Sequence, residues 1–496
     1  MVPLLFVVDR ASTRRRASLL CWLAGTVGVG GGFYWMIELL GRFADLSLPV
    51  NVLLYLAFSA YHGSIFLLFG WMVRTIRRRK SCPMVLLAPL AMATSELLVP
   101  MLFPFHLAIV QAWHPLVIQI ADLAGPIGVT ALLMVVNGAL YDLVTQRRKG
   151  LASAAAAAVI LGAVLLYGHF RIRHFDVLSA SALKLSIGVV QPNIAYNQKG
   201  VYHPEEAAGQ LAALQEQSRA LEKRGAQVIV WSETAYPYSL SRDFRSDFPE
   251  SDERRIRRGF TIPTVVGTLT GSEAGSDLYN SAVLIDREGQ QAGRYDKMVL
   301  LPFGEHFPGE EYFPWLGNML PEGFGGFQAG KEPTVLPLKT ADGNSWRLGA
   351  AICYEDIIPG LLRRMGAQHP HVLVNVTNDS WYGARAEPWQ HLALAVFGSI
   401  EQRTGMVRAV NSGISAFIDA NGRVVQKTEA IDPYVDPRPA DSTLATLPLL
   451  EAGGTVYAKV GDLFAYVCAL CIALWLAWPV LLRRFPSRRL RQIAGR

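Results

Sequence analysis

The chain has 496 residues, 51% of them hydrophobic, and carries a formal net charge of +7. Length allows two to four domains, and the apolar excess excludes an ordinary soluble enzyme. The positive charge is not a nucleic-acid footprint, because many of the basic residues flank long apolar runs, where they set membrane orientation and meet anionic head groups.

The apolar runs lie at the two ends. Leu19 to Leu40 is long enough to cross a hydrocarbon core of about 30 Å, and no small-residue cleavage pattern follows it, so it reads as an anchor. Further spans are expected at about 50–73, 83–103, 119–143 and 152–168, and a sixth at about 462–482. Basic residues crowd Arg14–Arg16, the 74–80 and 147–149 loops and the tail, whereas the alternate loops hold only Arg42. The positive-inside rule then puts the N-terminus in the cytoplasm and residues 170–460 on the far side. The expected organisation is a transmembrane domain over 1–170, an extracytoplasmic domain over 171–455, and a last helix with a basic tail over 456–496.

The middle block alternates strands and helices, which indicates a layered α/β domain. Strands are expected at 184–191, 228–231, 262–269, 280–285, 291–300, 346–352 and 371–376, with a last hairpin over 407–419 that turns at Asn421-Gly422. Helices are expected at 204–223, where Pro204 opens the first turn, at 357–364 and at about 388–404. No histidine or cysteine cluster has zinc spacing, and neither a metal nor a cofactor is expected.

Three reactive groups follow strands in this block. Cys353 is its only cysteine. The thiol stands before a helical stretch whose N-terminal dipole favours thiolate. Glu233 follows the apolar strand Val228–Trp231, where partial desolvation raises a carboxylate toward the range of a general base. Lys297 sits at the mouth of another apolar run and can stabilise an oxyanion. Thiol, base and cation are the minimum set for acyl transfer through a thioester. Separately, Cys353 reads as a small core hydrophobe, Glu233 as an N-terminal acid of a helix and Lys297 as a solvated charge.

Together with their flanking residues, Trp231-Ser232-Glu233-Thr234-Ala235-Tyr236-Pro237, Tyr295-Asp296-Lys297 and Ile352-Cys353-Tyr354-Glu355 resemble the Glu-Lys-Cys triad of the nitrilase superfamily. Leu301-Pro302-Phe303-Gly304-Glu305, Thr377 through Gly383, Pro388-Trp389-Gln390-His391 and the membrane spans are similar to its apolipoprotein N-acyltransferase family. The resemblance implies an α-β-β-α sandwich beside a multi-span helical domain in a bacterial inner membrane, facing the periplasm. It further implies an enzyme that moves an acyl chain from a phospholipid donor, through the cysteine, to the α-amine of a diacylglyceryl-cysteine apolipoprotein. Glu233 would be the base, Lys297 the oxyanion stabiliser and Cys353 the nucleophile. Glu305 would assist Lys297, and Tyr354 and Glu355 would shape the pocket. Trp231, Phe313, Trp315, Trp381 and Trp389 are candidate lipid contacts. The family usually has eight spans against six here, and Gly200 stands where it has a tryptophan, a role that Tyr202 could take. Residues 311–327 hold many large apolar groups among glycines and are expected to form an interfacial lid. A membrane-tethered amidase and a non-catalytic membrane protein are the alternative readings.

Overall fold

The computed structural model describes residues 1–44, 46–79, 82–195, 198–199, 203–272, 277–309, 312–313, 315 and 326–484. Gly200, Tyr202, the lid positions Leu316, Gly317, Met319, Leu320, Gly323, Phe324 and Gly325, and the tail beyond Arg484 lie outside them.

The N-terminal part consists of helices α1 (Val2–Arg10), α2 (Arg14–Gly32), α3 (Met36–Ala44), α4 (Leu48–Arg77), α5 (Met84–Leu98), the short α6 (Pro115–Ile118), α7 (Ala121–Gln146) and α8 (Arg148–Ser181). Among the described residues, α4, α7 and α8 are long and apolar enough to cross a membrane, and α2 with α3 makes a fourth candidate bent by 60°. Two shorter apolar helices, α5 and Leu463–Trp478, fall where the third and sixth spans are expected. Leu23, Val27, Leu53, Val159 and Leu166 are exposed, an apolar flank of the kind that a lipid-embedded bundle presents.

The first span is not the continuous helix expected over 19–40. Gly30-Gly31-Gly32 are weak helix formers, and the backbone leaves the helix at Phe33 (φ −111°). The amphipathic α3 then starts in a new direction. Helix α5 stops at Leu98, because Val99 takes an extended conformation (φ −93°, ψ 111°) before Pro100, as a residue ahead of proline should. Helix α8 extends well beyond the expected 152–168 and passes almost directly into the α/β block.

That block begins with β1 (Lys184–Gln191), α9 (Pro204–Lys223), β2 (Val228–Trp231), β3 (Leu240–Ser241), β4 (Thr264–Gly271), β5 (Leu278–Ile285) and β6 (Gln291–Asp296). It continues with β7 (Val335–Lys339), β8 (Ser345–Ile352), a 3-10 turn (Cys353–Ile357), α10 (Pro359–Gly366), β9 (Val372–Thr377), α11 (Glu387–Gln402), β10 (Gly405–Val410), β11 (Ala416–Ile418), β12 (Val424–Lys427) and β13 (Asp441–Pro448). Helices α12 (Val456–Val460) and α13 (Leu463–Arg484) return to the bundle.

One sheet has the order β13-β1-β2-β4-β5-β6, with β3 on β4, and the other β12-β11-β10-β9-β8-β7. Alternation decides which residues meet between the sheets. In β2, Val228 and Val230 join the inter-sheet core, whereas Ile229 and Trp231 join the cluster under α9. With α9 outside the first sheet and α10 and α11 outside the second, the layers are α-β-β-α.

Three differences from the sequence expectation have local causes. Strand β6 ends at Asp296, not at residue 300, because the Met298 and Val299 N–H groups donate to the Glu355 carboxylate (2.7 and 2.9 Å). Asn421-Gly422 joins β11 to β12, and β11 pairs antiparallel with both β10 and β12. Strands β7 and β13 were not expected from the sequence. Strand β13 pairs with β1 from Lys184↔Pro448 to Gln191↔Asp441.

Candidate active site

Three strand ends deliver the reactive groups. Glu233 lies just beyond β2, Lys297 follows β6 and Cys353 follows β8. Cys353 itself has φ +56° and Thr234 has φ +45°. Both are non-glycine residues in the left-handed region, a conformation that costs about 1–2 kcal/mol per residue and is held by the surroundings. The Cys353 carbonyl accepts from Asn375 Nδ2 at 2.8 Å, and the Ile352 N–H donates to Glu355 Oε2 at 2.7 Å. Gly267 of β4 packs beneath the Glu233 turn, where an added methyl would come within 2.0 Å of the Ser232 carbonyl oxygen.

Glu233, Lys297 and Cys353 line one cavity of about 70 Å³, together with Phe43, Thr234, Asn280, Leu301, Gly304, Glu305, Phe327, Asn378, Trp381 and Tyr382. Lys297 Nζ lies 2.8 Å from Glu305 and 3.5 Å from Glu233 Oε1. Asn280 Nδ2 donates to Glu233 Oε1 (2.7 Å) and to Glu305 Oε1 (3.1 Å). The Leu301 N–H donates to Glu305 Oε2 at 2.8 Å, fixing that carboxylate against the lysine.

The electrostatics follow from burial. Desolvation pushes the Glu233 carboxyl up, against the pull of Lys297. Burial opposes the Lys297 charge, but Glu305, Cys353 and Glu233 outweigh it and hold its pKa well above the ordinary lysine value. Burial and Glu233 raise the Cys353 thiol, and Lys297 is the cation that counters them. The resting site therefore holds a thiol, with a base and an ammonium in place to accept its proton and stabilise the thiolate.

The predicted supporting residues separate. Glu305 stands in the cavity wall against Lys297. Tyr354 donates its hydroxyl to the Leu300 carbonyl at 2.9 Å, with its ring 5.9 Å from Lys297 Nζ. Glu355 is wholly buried behind the cavity, and burial pushes it up to about 7. It accepts from Ile352, Met298 and Val299 N–H groups and from the Tyr295 hydroxyl, so it braces the Cys353 turn against the Lys297 segment instead of lining the pocket.

The five candidate lipid contacts also part. Trp231 is fully buried and donates to Ser218 Oγ of α9 at 2.9 Å. Strand alternation turns it away from the cavity, which corrects the expectation that it meets lipid. Trp381 lines the catalytic cavity. Trp389 lines a separate apolar cavity of about 450 Å³ with Phe33, Phe66, Phe105 and Trp113. Phe313 and Trp315 are 58% and 61% exposed.

Several site residues were missed from the sequence. Asn280, an amide inside the apolar strand β5, carried a usable signal, since a buried amide needs partners. Lys199 matches a lysine of the resembled family just before Gly200, but its neighbours do not show which turn it reaches. Only 2% exposed, it donates through Nζ to the carbonyls of Glu233 (2.8 Å) and Thr234 (3.1 Å) and to Thr234 Oγ1 (2.5 Å). Burial pulls its pKa down to about 8, although Glu233 and Cys353 favour the charge. Phe43 belongs to the membrane-side helix α3, and only the tertiary fold brings it to the cavity.

Comparisons with known proteins agree along the chain. The family model for the carbon-nitrogen hydrolase domain matches residues 186–431. The model for the apolipoprotein N-acyltransferase N-terminal domain matches residues 1–139. The apolipoprotein N-acyltransferase of Chlorobaculum tepidum is 31% identical over 371 residues, which covers 71% of this chain and 68% of that one. Its namesake in Geobacter metallireducens is 29% identical over 483 residues, 94% of this chain and 87% of that protein. That of Brucella melitensis is 30% identical over 463 residues, covering 88% and 85%. With relatives matched through both the helical part and the sandwich, the chain belongs to the apolipoprotein N-acyltransferase family.

Proposed function

We propose that the enzyme transfers a fatty acyl chain from a phospholipid to the N-terminal α-amine of a diacylglyceryl-cysteine apolipoprotein, with Cys353 as the acyl carrier. The observation that carries this reading is the convergence of Glu233, Lys297 and Cys353 on one cavity that the membrane-side Phe43 also lines. A lipid ester can therefore reach the thiol without leaving the interface.

In the first half-reaction Glu233 takes the Cys353 proton and the sulfur attacks the ester carbonyl. The oxyanion is stabilised by Lys297, whose ammonium Glu305 aligns. The C–O bond breaks, and Glu233 returns the proton to the departing lysophospholipid oxygen. In the second half-reaction the neutral α-amine attacks the thioester, the C–S bond breaks, and the amine proton passes through Glu233 to the thiolate. The products are an amide and free Cys353. Family membership across the helical part supports acyl transfer over hydrolysis by a tethered amidase.

We place the sandwich (171–455) on the periplasmic side of the inner membrane, between the helical domain (1–170) and the final helix with its tail (456–496). The basic loops 74–80 and 147–149 support this orientation. Phe313 and Trp315 are assigned to the lipid-facing rim. The test is mass spectrometry of an apolipoprotein N-terminal peptide incubated with enzyme and phospholipid. Wild type should add one acyl mass to the α-amine and leave a hydroxylamine-sensitive acyl adduct on Cys353. Cys353→Ala should do neither. Absence of the added mass with wild type refutes the reading, and normal turnover by Cys353→Ala refutes the thioester.

A further inference from the structure

Behind the nucleophile, outside the cavity walls, five ionisable side chains are buried together. His391 of α11 has Nε2 2.9 Å from Asp356 Oδ1 and Nδ1 3.1 Å from Asp379 Oδ1. Two ring nitrogens facing two carboxylates require two donors, and only the imidazolium has them. Arg408, wholly buried in β10, donates through Nη1 to Asp356 Oδ2 and has Nη2 3.8 Å from Asp379 Oδ2. Glu387 Oε1 lies 3.5 Å from His391 Nδ1. Burial first, then Asp379, holds the Glu387 carboxyl well above the usual range. Burial and Arg408 oppose a charged His391, and Asp356 and Asp379 overcome both and push it up to about 10.

Asp379, Glu387 and His391 are close enough together to hold a metal ion, but the donor set does not suit one. Both imidazole nitrogens are committed to carboxylates, and the Arg408 cation occupies the same two aspartates. The cluster instead touches the two sides of the catalytic cavity. Asp356 belongs to the 3-10 turn that starts at Cys353. Asp379 lies in the loop after β9, between the cavity residues Asn378 and Trp381.

We infer that His391 is a positioning residue for acyl transfer: as a buried imidazolium bridging Asp356 and Asp379, it ties the nucleophile turn to the cavity-lining loop after β9 and adds positive charge behind Cys353. The groups facing His391 are Asp356 from the turn after β8, Asp379 from the loop after β9, Arg408 from β10 and Glu387 from its own helix. Those around Cys353 are Glu233, Lys297, Glu305, Lys199, Tyr382 and Asp379 from neighbouring segments, and Tyr354 and Glu355 from its own turn. Replacing the imidazolium by a neutral amide removes one positive charge from behind the thiol, which disfavours thiolate.

The experiment uses the full-length enzyme in detergent–phospholipid micelles and follows modification of Cys353 by methyl methanethiosulfonate against pH, read on the Cys353 peptide by mass spectrometry. His391→Gln should shift the modification profile to higher pH and slow modification at pH 7 about tenfold. In His391→Gln/Asp379→Asn charge balance returns, so modification should recover to within about threefold of wild type. A His391→Gln profile that overlays wild type overturns the inference, and so does a double variant as slow as the single one. If His391→Gln does not fold, the double variant decides alone, and a tenfold loss in it overturns the inference. The inference rests on Cys353 being the acylated residue. Failure of that reading shows as no acyl adduct on wild-type Cys353, whereas failure of this one shows in a modification profile that needs no lipid turnover.

Discussion

Lys199 brings a second ammonium to Glu233, through the backbone carbonyl and not the carboxylate. Its three acceptors are uncharged oxygens, so folding desolvates the charge without giving it a counterion in direct contact. Its folded pKa of about 8 lies below the ordinary value of 10.5. The unfolded chain binds the proton over more of that window, so this residue makes stability rise with pH between about 8 and 10.5. The gain across the window is at most roughly 3 kcal/mol. Lys199→Met should therefore show a less positive slope of Tm against pH from 8 to 10 than wild type, read by differential scanning fluorimetry in detergent. It should also lose at least tenfold in kcat, because the strained Thr234 turn that presents Glu233 loses its three donated hydrogen bonds. Gly267 is the complementary case. Gly267→Ala should drive the Glu233 turn from its place and lower kcat/KM by 100-fold or more, while the pH profile of Cys353 modification shows the altered base. At this scale the convergence of Glu233, Lys297 and Cys353 on one cavity was legible because Glu233 and Cys353 follow apolar strands, Lys297 opens an apolar run, and all three keep distinctive neighbours. The placement of Lys199 and Phe43 was not, since neither a charge nor an aromatic ring says which strand end its segment will reach.

The bent pair α2–α3 is the element that joins the helical part to the cavity. Trp35 Nε1 donates to Gln390 Oε1 at 3.0 Å, and Gln390 Nε2 donates to the Gly32 carbonyl at 2.8 Å, stapling the bend to α11. Arg42 donates to both Asp432 carboxylate oxygens (3.0 and 2.7 Å) and to the Ser380 carbonyl (2.9 Å). These contacts hold Phe43 in the cavity wall, with its ring 5.5 Å from that of Trp381. Arg42→Ala should raise the KM for phospholipid several-fold with a smaller change in kcat, measured as acyl-enzyme formation over a range of lipid mole fractions. Aspartate at Phe313 and Trp315 should weaken acyl-donor use in the same assay and leave circular dichroism unchanged; unchanged kinetics would reject the rim assignment. Helix and strand periods made most elements readable. The break at residues 33–35 hid inside an apolar run long enough to pass for one span, and β13, partly exposed and far from its partner in sequence, gave only a weak alternating pattern.

For the whole molecule, the two parts are docked by buried charge. Asp122 of α7 accepts from Arg403 at the end of α11 (Nη2, 2.7 Å), from Arg171 of α8 (Nε, 2.8 Å) and from the Tyr167 hydroxyl (2.7 Å). Removing one partner of such a set leaves uncompensated charge and costs about 3–5 kcal/mol. Asp122→Ala should thus lower the Tm in detergent and open the junction between bundle and sandwich to limited proteolysis, with the Cys353 turn still protected. No sequence pattern announces this docking, because an aspartate in an apolar span looks the same whether its partner is a neighbouring helix or another domain. The pairing of β13 with β1 sets a schedule for synthesis. Strand β1 emerges soon after α8, yet its outer partner follows nearly the whole sandwich, so one edge of the first sheet stays unsealed until synthesis is almost complete. A nascent or truncated chain that stops before Asp441 exposes that edge to other strands, and its maturation depends on whatever shields the edge until the last strand arrives.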